Sequence, residues 1–285
     1  MPAMKPPRRR LCILRLSAIG DVCHAIATVQ AIQHQFPDDE ITWLVGKTEA
    51  GLVSDLPGIR VVVFDKGKGL RAFPAVRRQL GGRFDVLLHM QLSLRANLLA
   101  AWVPARQKWG FPRHLSKELH SLVINRRVTM PARPHVLEGF QCFAHALGVP
   151  PFEPQWHIPI PETDQTWVEA HIPGDAPFVV VAPAASNPER NWLPERYAAV
   201  IEHLANRGIT PVLTGAPATS ELALAQKISE LAKAQPINLV GQTNLKQLLM
   251  LVSRAAAVVA PDSGTAHMAV TQGTPVIGLY AHSNP

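Results

Sequence analysis

Short apolar runs closed by turn residues alternate with stretches whose apolar residues recur at helical spacing. This alternation restricts the chain to repeated β-α units on a parallel sheet. Residues 11–16 predict a buried strand, 22–35 a helix, and 41–45 and 60–64 further strands. The series continues at 84–89 and 108–110, and Val136, Phe140, Phe143 and Leu147 share one face of a helix over 136–147. Between residues 148 and 175, Pro150, Pro151, Pro154, Pro159, Pro161 and Pro173 leave no room for a long regular element. The boundary is therefore placed here, giving domains over 1–160 and 161–285. The rhythm then resumes with strands at 178–182, 210–214, 238–240, 257–260 and 276–280. Helices are predicted from about Pro194, over 220–231 and over 245–253.

A chain of 285 residues, 47% hydrophobic and only 17% charged, is long enough for two cores and poorly suited to disorder. Its 28 Lys and Arg exceed 21 Asp and Glu, a formal +7 that suits an anionic partner. Part of that excess, Lys5, Arg8, Arg9 and Arg10, reads as a solvated terminus. Few aromatics and no binding motif argue against nucleic acid. Cys12, Cys23 and Cys142 form neither a CxxC pair nor a metal spacing, which fits a reducing cytoplasm. Arg15 and Asp21 interrupt the first apolar run, so no export signal or membrane span is expected.

Three loops carry candidate chemistry. Ser17-Ala18-Ile19-Gly20-Asp21 links the first strand to the first helix, where ligands of doubly wound folds bind. Asp21 there is a base overlooking the crevice or an ordinary helix cap. Pro261-Asp262-Ser263-Gly264-Thr265-Ala266-His267 follows a strand and opens a helix. The N–H groups of Ser263, Gly264 and Thr265 at that helix start suit a diphosphate. Alternatively Ser263 or Asp262 is a plain cap and His267 a packed helix residue. In the loop 183–192, Ser186 and Arg190 offer a hydroxyl and a planar cation to phosphate oxygens, with Trp192 packed beneath as the plainer reading. No GxGxxG, GK[ST] or GxSxG motif is present, and twelve histidines include no HExxH. Lys66-Gly67-Lys68-Gly69 reads as a solvated turn.

The order of these segments, SAIGD after a strand, PAAS…RNW, GAP…E, then PDSGTAH and PVIGLYAHSNP, resembles the bacterial heptosyltransferases of glycosyltransferase family 9 along essentially the whole chain. The resemblance implies a GT-B architecture: two Rossmann-like α/β domains facing a cleft, acceptor mainly on the first and ADP-sugar mainly on the second. It places Asp21 where the general base stands and Ser186 in the phosphate loop. Asp262 and His267 fall on the terminal D-[ST]-G-x-x-H pattern. Glu221, six positions after Gly215, is similar to the acidic residue that binds the donor ribose. Family members often carry Lys-[Arg/His]-Trp where this chain has Arg190-Asn191-Trp192, so the charge is kept and its geometry altered.

The implied reaction is metal-independent, inverting transfer of heptose from ADP-heptose, as co-substrate, to the inner core of lipopolysaccharide at the cytoplasmic membrane face. No cofactor is implied. Transfer of another sugar, or a non-catalytic nucleotide-sugar or glycan-binding module, are the competing readings. Asp21 speaks against the latter, because binding alone needs no base there. The family continues for several tens of residues beyond the last strand, so the second domain is expected to be truncated, with a looser cleft and weaker activity.

Overall fold

The computed structural model describes residues 8–172, 174 and 176–280. Lys5, Pro173, Asp175 and the final residues 281–285 of the terminal motif lie outside them. The chain divides between Ile158 and Pro159 into two compact units.

Unit 1 contains β1 (Arg10–Leu14), α1 (Ile19–Gln35), β2 (Glu40–Gly46), α2 (Lys47–Val53), β3 (Ile59–Phe64), α3 (Ala72–Leu80) and β4 (Phe84–His89). It continues with α4 (Leu94–Trp102), β5 (Ala105–Gly110), α5 (His120–Val123), β6 (Arg126–Arg127) and α6 (Val136–Ala146). Its parallel strands lie in the order β3-β2-β1-β4-β5-β6. Leu11, Cys12, Ile13 and Leu14 are wholly buried, as befits a central parallel strand. Cys12 and Leu14 join Leu44, Phe64, Phe73, Leu80, Phe84 and Leu99 in one cluster. Each such side chain contributes about 1.5–3 kcal/mol on burial.

Unit 2 contains α7 (Glu162–His171), β7 (Phe178–Val181), α8 (Pro194–Ala205), β8 (Thr210–Leu213) and α9 (Thr219–Leu231). It ends with β9 (Ile237–Asn238), α10 (Leu245–Arg254), β10 (Ala257–Pro261), α11 (Gly264–Thr271) and β11 (Val276–Leu279). The sheet is again parallel, ordered β11-β10-β7-β8-β9. Val179, Val181, Tyr197, Ile201, Leu213 and Val259 form its core. Burial pushes the Tyr197 phenol up to about 12, and Trp192 meets its ring edge-on at 5.5 Å.

Two expectations need correction. The proline-rich stretch does hold a regular element, α7, because Pro161 occupies its N-cap instead of interrupting it. Before α7, Trp156 and His157 fasten the segment to α1. The Trp156 indole donates to Cys23 O at 2.7 Å, and Gln30 bonds both backbone groups of His157 at 2.7 and 3.0 Å. Nor is the basic start a solvated tail at Arg9 and Arg10, although Arg8 stays exposed. Arg8 pairs with Glu40 at 2.8 Å, Arg9 with Asp39 at 2.7 Å, and the Arg10 N–H donates to Asp85 at 2.8 Å. All three cysteines are free, and burial pushes the Cys12 and Cys23 thiols up to about 12. Lys66–Arg71 is an exposed 3-10 turn capped by Asp65, whose carboxylate accepts from the Gly67 N–H at 2.9 Å.

A buried polar network braces the far side of β4. The Phe111 N–H donates to His120 Nε2 at 3.0 Å, which makes His120 Nδ1 the donor to Asn97 Oδ1 at 3.0 Å. His89 Nε2 donates to that same oxygen at 2.8 Å, and the Asn97 amide donates to Glu118 O at 2.6 Å. The accepting Nε2 makes His120 neutral, and burial keeps His89 neutral. Burial, and for His89 the neighbouring His120, depress their pKa values from 6.5 to about 3 and about 4. The unfolded chain takes up protons below about 6.5 and the folded one does not, so stability is full above that pH. It is lost as pH falls toward the folded values, by about 1.4 kcal/mol per pH unit for each ring. Nitrogen NMR should find both imidazoles neutral at pH 5.5, with unfolding free energy falling between pH 6.5 and 4. Titration near 6.5, or flat stability, contradicts this assignment.

Candidate active site

In each sheet, the first strand of the unit has neighbours leading away in opposite directions. The crevice of a doubly wound fold opens beyond the carboxyl ends at that reversal. In unit 1 the reversal lies between β1 and β4, in unit 2 between β7 and β10.

Beyond β1, the buried Arg15 turns its guanidinium to two partners. Nη1 donates to Met90 O at 2.6 Å, just past β4, and Nη2 donates to the Asp21 carboxylate. The same guanidinium lies 5.2 Å from the Phe140 ring. Burial pushes the Arg15 pKa down and Asp21 pushes it back up. Gln91 Oε1 accepts from the Leu16 N–H at 2.7 Å, fixing the loop that leads into α1. Asp21 occupies the third position of α1 and accepts from the Ala18 N–H at 3.4 Å. It is thus both cap and ion-pair partner, with its side chain still 32% exposed.

Glu49, in the first turn of α2, adds a second carboxylate at this edge. Its burial raises its pKa, opposed by Lys66 and Arg15. A Cβ at Gly46 would lie 2.5 Å from both Glu49 Oε2 and Leu16 O, so only glycine lets that carboxylate in. The sequence reading missed Arg15 and Glu49 as site residues. The available signals were a cation directly after an otherwise apolar strand and an acid in the first helical turn after β2.

In unit 2, Asp262 stands between two basic groups. Arg190 Nη1 lies 3.1 Å from Asp262 Oδ2, and His267 Nε2 lies 3.3 Å from Asp262 Oδ1. Ser263 is at the N-cap position of α11, yet its side chain makes no cap bond. Its hydroxyl oxygen is buried without a hydrogen-bond partner among the described residues. A plain capping role for Ser263 is therefore set aside. The first N–H groups of a helix have no intrahelical acceptor, so Gly264 and Thr265 extend the donor set.

Ser186 is exposed in the loop after β7, where Asn187 Oδ1, not Ser186, accepts from the Glu189 N–H at 3.2 Å. Asn191 turns inward and accepts from the Ala185 N–H at 2.7 Å. Glu221 belongs to the neighbouring β8 end: its Oε2 accepts from the Ala216 N–H at 2.7 Å, against the side-chain-free face of Gly215. The structure thus joins Arg190, Asp262 and His267 directly, with Ser263, Gly264 and Thr265 beginning α11 beside them. No described hydrogen bond links Ser186 or Glu221 to that trio.

Comparison with known proteins gives this arrangement a family. Residues 74–285 match the model for glycosyltransferase family 9 (heptosyltransferase). The lipopolysaccharide core heptosyltransferase OpsX of Haemophilus influenzae is 44% identical over 286 aligned residues, covering 100% of this chain and 82% of that protein. Lipopolysaccharide heptosyltransferase 3 of Escherichia coli K12 is 24% identical, over 92% of this chain and 79% of its own length. Among solved structures, a family 9 glycosyl transferase from Veillonella parvula superposes with a TM-score of 0.87 at 23% identity, covering 99% of this chain and 83% of that one. The E. coli heptosyltransferase WaaC with ADP gives 0.79 at 22% identity, covering 97% and 88%. The architecture is GT-B, and the chain belongs to glycosyltransferase family 9, the heptosyltransferases.

Proposed function

We propose that this protein transfers heptose from ADP-heptose to the inner core of lipopolysaccharide, with inversion at the anomeric carbon and without a metal ion. The observation that carries the reading is the 44% identity to OpsX along the whole chain. Support from a relative's ligand comes from WaaC, solved with an ADP-2-deoxy-2-fluoro heptose.

In this mechanism the Asp21 carboxylate takes the proton of an acceptor hydroxyl. That oxygen forms the new bond to the anomeric carbon while the bond to the diphosphate breaks. ADP leaves with the electron pair from the opposite face. Arg15 holds Asp21 in place through its second anchor at Met90 O, which fixes the guanidinium regardless of substrate. Growing charge on the diphosphate is met by Arg190, the Ser263 hydroxyl and the α11 N-terminus. Ser186 supplies a further exposed hydroxyl in the phosphate loop, and Glu221 accepts from the donor ribose. His267 holds Asp262 and so sets how far Arg190 is withdrawn from the phosphates.

The metal-free reading rests on the cationic donor set, in which Arg190 and the start of α11 meet the diphosphate charge. EDTA should therefore leave the rate unchanged. Activity lost to EDTA and restored by magnesium or manganese contradicts charge neutralisation by Arg190. Among the described residues no helix is long and apolar enough to cross a membrane. A net charge of +7 supports peripheral contact with the anionic cytoplasmic leaflet. Mass spectrometry of products from ADP-heptose and a truncated lipopolysaccharide acceptor tests the whole reading. A product one heptose heavier is expected. Unchanged acceptor, or transfer only from a different nucleotide sugar, contradicts it.

A further inference from the structure

Helix α4 carries an apolar stripe on its outer side. Leu94, Leu98 and Trp102 are spaced four residues apart and each is 48% exposed, while Ala96, Leu99 and Ala100 face the core. Such spacing aligns them along ~12 Å of one helix face. A line of half-exposed apolar side chains ending on a Trp is the kind of surface that marks a contact site.

The surroundings say what kind of surface would. At the Trp102 end an open depression of about 540 Å³ is lined by Arg77, Arg83 and Lys108 together with Trp102 itself. No acidic side chain lines that depression. Burial lowers the Lys108 pKa, and its ammonium donates to Ala100 O at 2.7 Å, so its stem lies along α4. At the other end Arg95 is exposed beside Leu94. Glu118, the acid nearest that end, already accepts from the Leu94 N–H. Exposed apolar side chains flanked by cations, with an indole among them, suit an anionic lipid–water interface.

We infer that this face docks on an anionic phospholipid bilayer, the α4 stripe entering the acyl boundary and the Arg77–Arg83–Lys108 depression receiving a lipid phosphate. The inference rests on the membrane-face reading above and names the surface that makes the contact. The stripe begins one residue after Ser93, whose hydroxyl lies 3.4 Å from Gln91 Nε2, and Gln91 holds the loop leading to Asp21. The stripe thus begins beside the loop that leads to the proposed base.

The test is sedimentation with vesicles of phosphatidylcholine containing phosphatidylglycerol, against phosphatidylcholine alone. The unmodified protein should bind the anionic vesicles at least about tenfold more tightly, with affinity falling as salt is raised. Leu98→Ser/Trp102→Ser should lose about tenfold, and so should Arg77→Glu/Arg83→Glu, each with unchanged circular dichroism. Quenching of tryptophan emission by brominated lipid should diminish in Trp102→Phe, a substitution mild enough to keep the fold. Equal affinity for both vesicle types, undiminished binding by both double variants, or burial of the stripe in a dimer in solution would overturn the inference. Transfer to a deacylated, soluble acceptor separates it from the functional reading. Vesicle binding without transfer counts against the function alone, and transfer without vesicle binding counts against the docking surface alone.

Discussion

Asp21→Asn should lower heptose transfer by about 10²- to 10⁴-fold, the range that a general base contributes. ADP affinity should stay within about threefold, because the proposed donor groups belong to unit 2. The substitution is nearly isosteric. An amide oxygen still accepts from Arg15 and from the Ala18 N–H, so the first turn of α1 keeps its contacts. What is lost is the ability to take a proton, together with the negative charge that pairs with the buried Arg15. Steady-state kinetics with saturating acceptor, alongside calorimetric ADP binding, separate the two effects. Normal turnover in Asp21→Asn would reduce the residue to a helix cap, and a matching loss of ADP affinity would point to a donor role instead.

The second large effect concerns Arg190. Arg190→Ala should raise the donor KM and slow transfer by about 10²-fold or more, comparable to removing one preorganised donor from a developing anion. The loss has two parts, because alanine removes a cation and also leaves the Asp262 carboxylate, 3.1 Å from that cation, facing the incoming diphosphate. Arg190→Ala/Asp262→Asn should therefore bind donor better than Arg190→Ala alone, a non-additivity expected of groups in direct contact. Arg190→Lys should be partly active, since charge survives without the planar fork. Additive losses in the double variant, or unchanged donor kinetics in Arg190→Ala, would remove this loop from the phosphate site.

The strands were readable where burial is complete. The run Leu11–Leu14 is unbroken because both faces of β1 are covered, and its shortness and the turn residues after it, not its periodicity, mark it as a strand. Helix α4 was not readable for the opposite reason: Leu94, Leu98 and Trp102 are exposed while Ala96 and Leu99 are buried, so apolar residues surround its axis and blur the helical signal. Asp21 could be singled out because position alone, one turn past a strand, marks it. Its partner Arg15 was passed over despite its place directly after an apolar strand, since a buried arginine runs against the usual preference of that side chain. The link between Arg190 and Asp262 spans 72 residues and exists because β7 and β10 are neighbours. Strand order of that kind is a property of the assembled sheet, and no local pattern in either loop announces it.

The bond from the Trp156 indole to Cys23 O has a practical consequence for watching the molecule work. Cys23 is two residues past Asp21 on α1, so this chromophore is wired to the turn that carries the proposed base. Indole emission responds to the strength of the hydrogen bond made by its N–H and to nearby carbonyl fields. A spectral difference between the unmodified protein and Trp156→Phe therefore isolates one native reporter from the remaining five tryptophans. Recorded while acceptor is titrated in, that difference spectrum would follow the opening turn of α1 without any label attached to the protein.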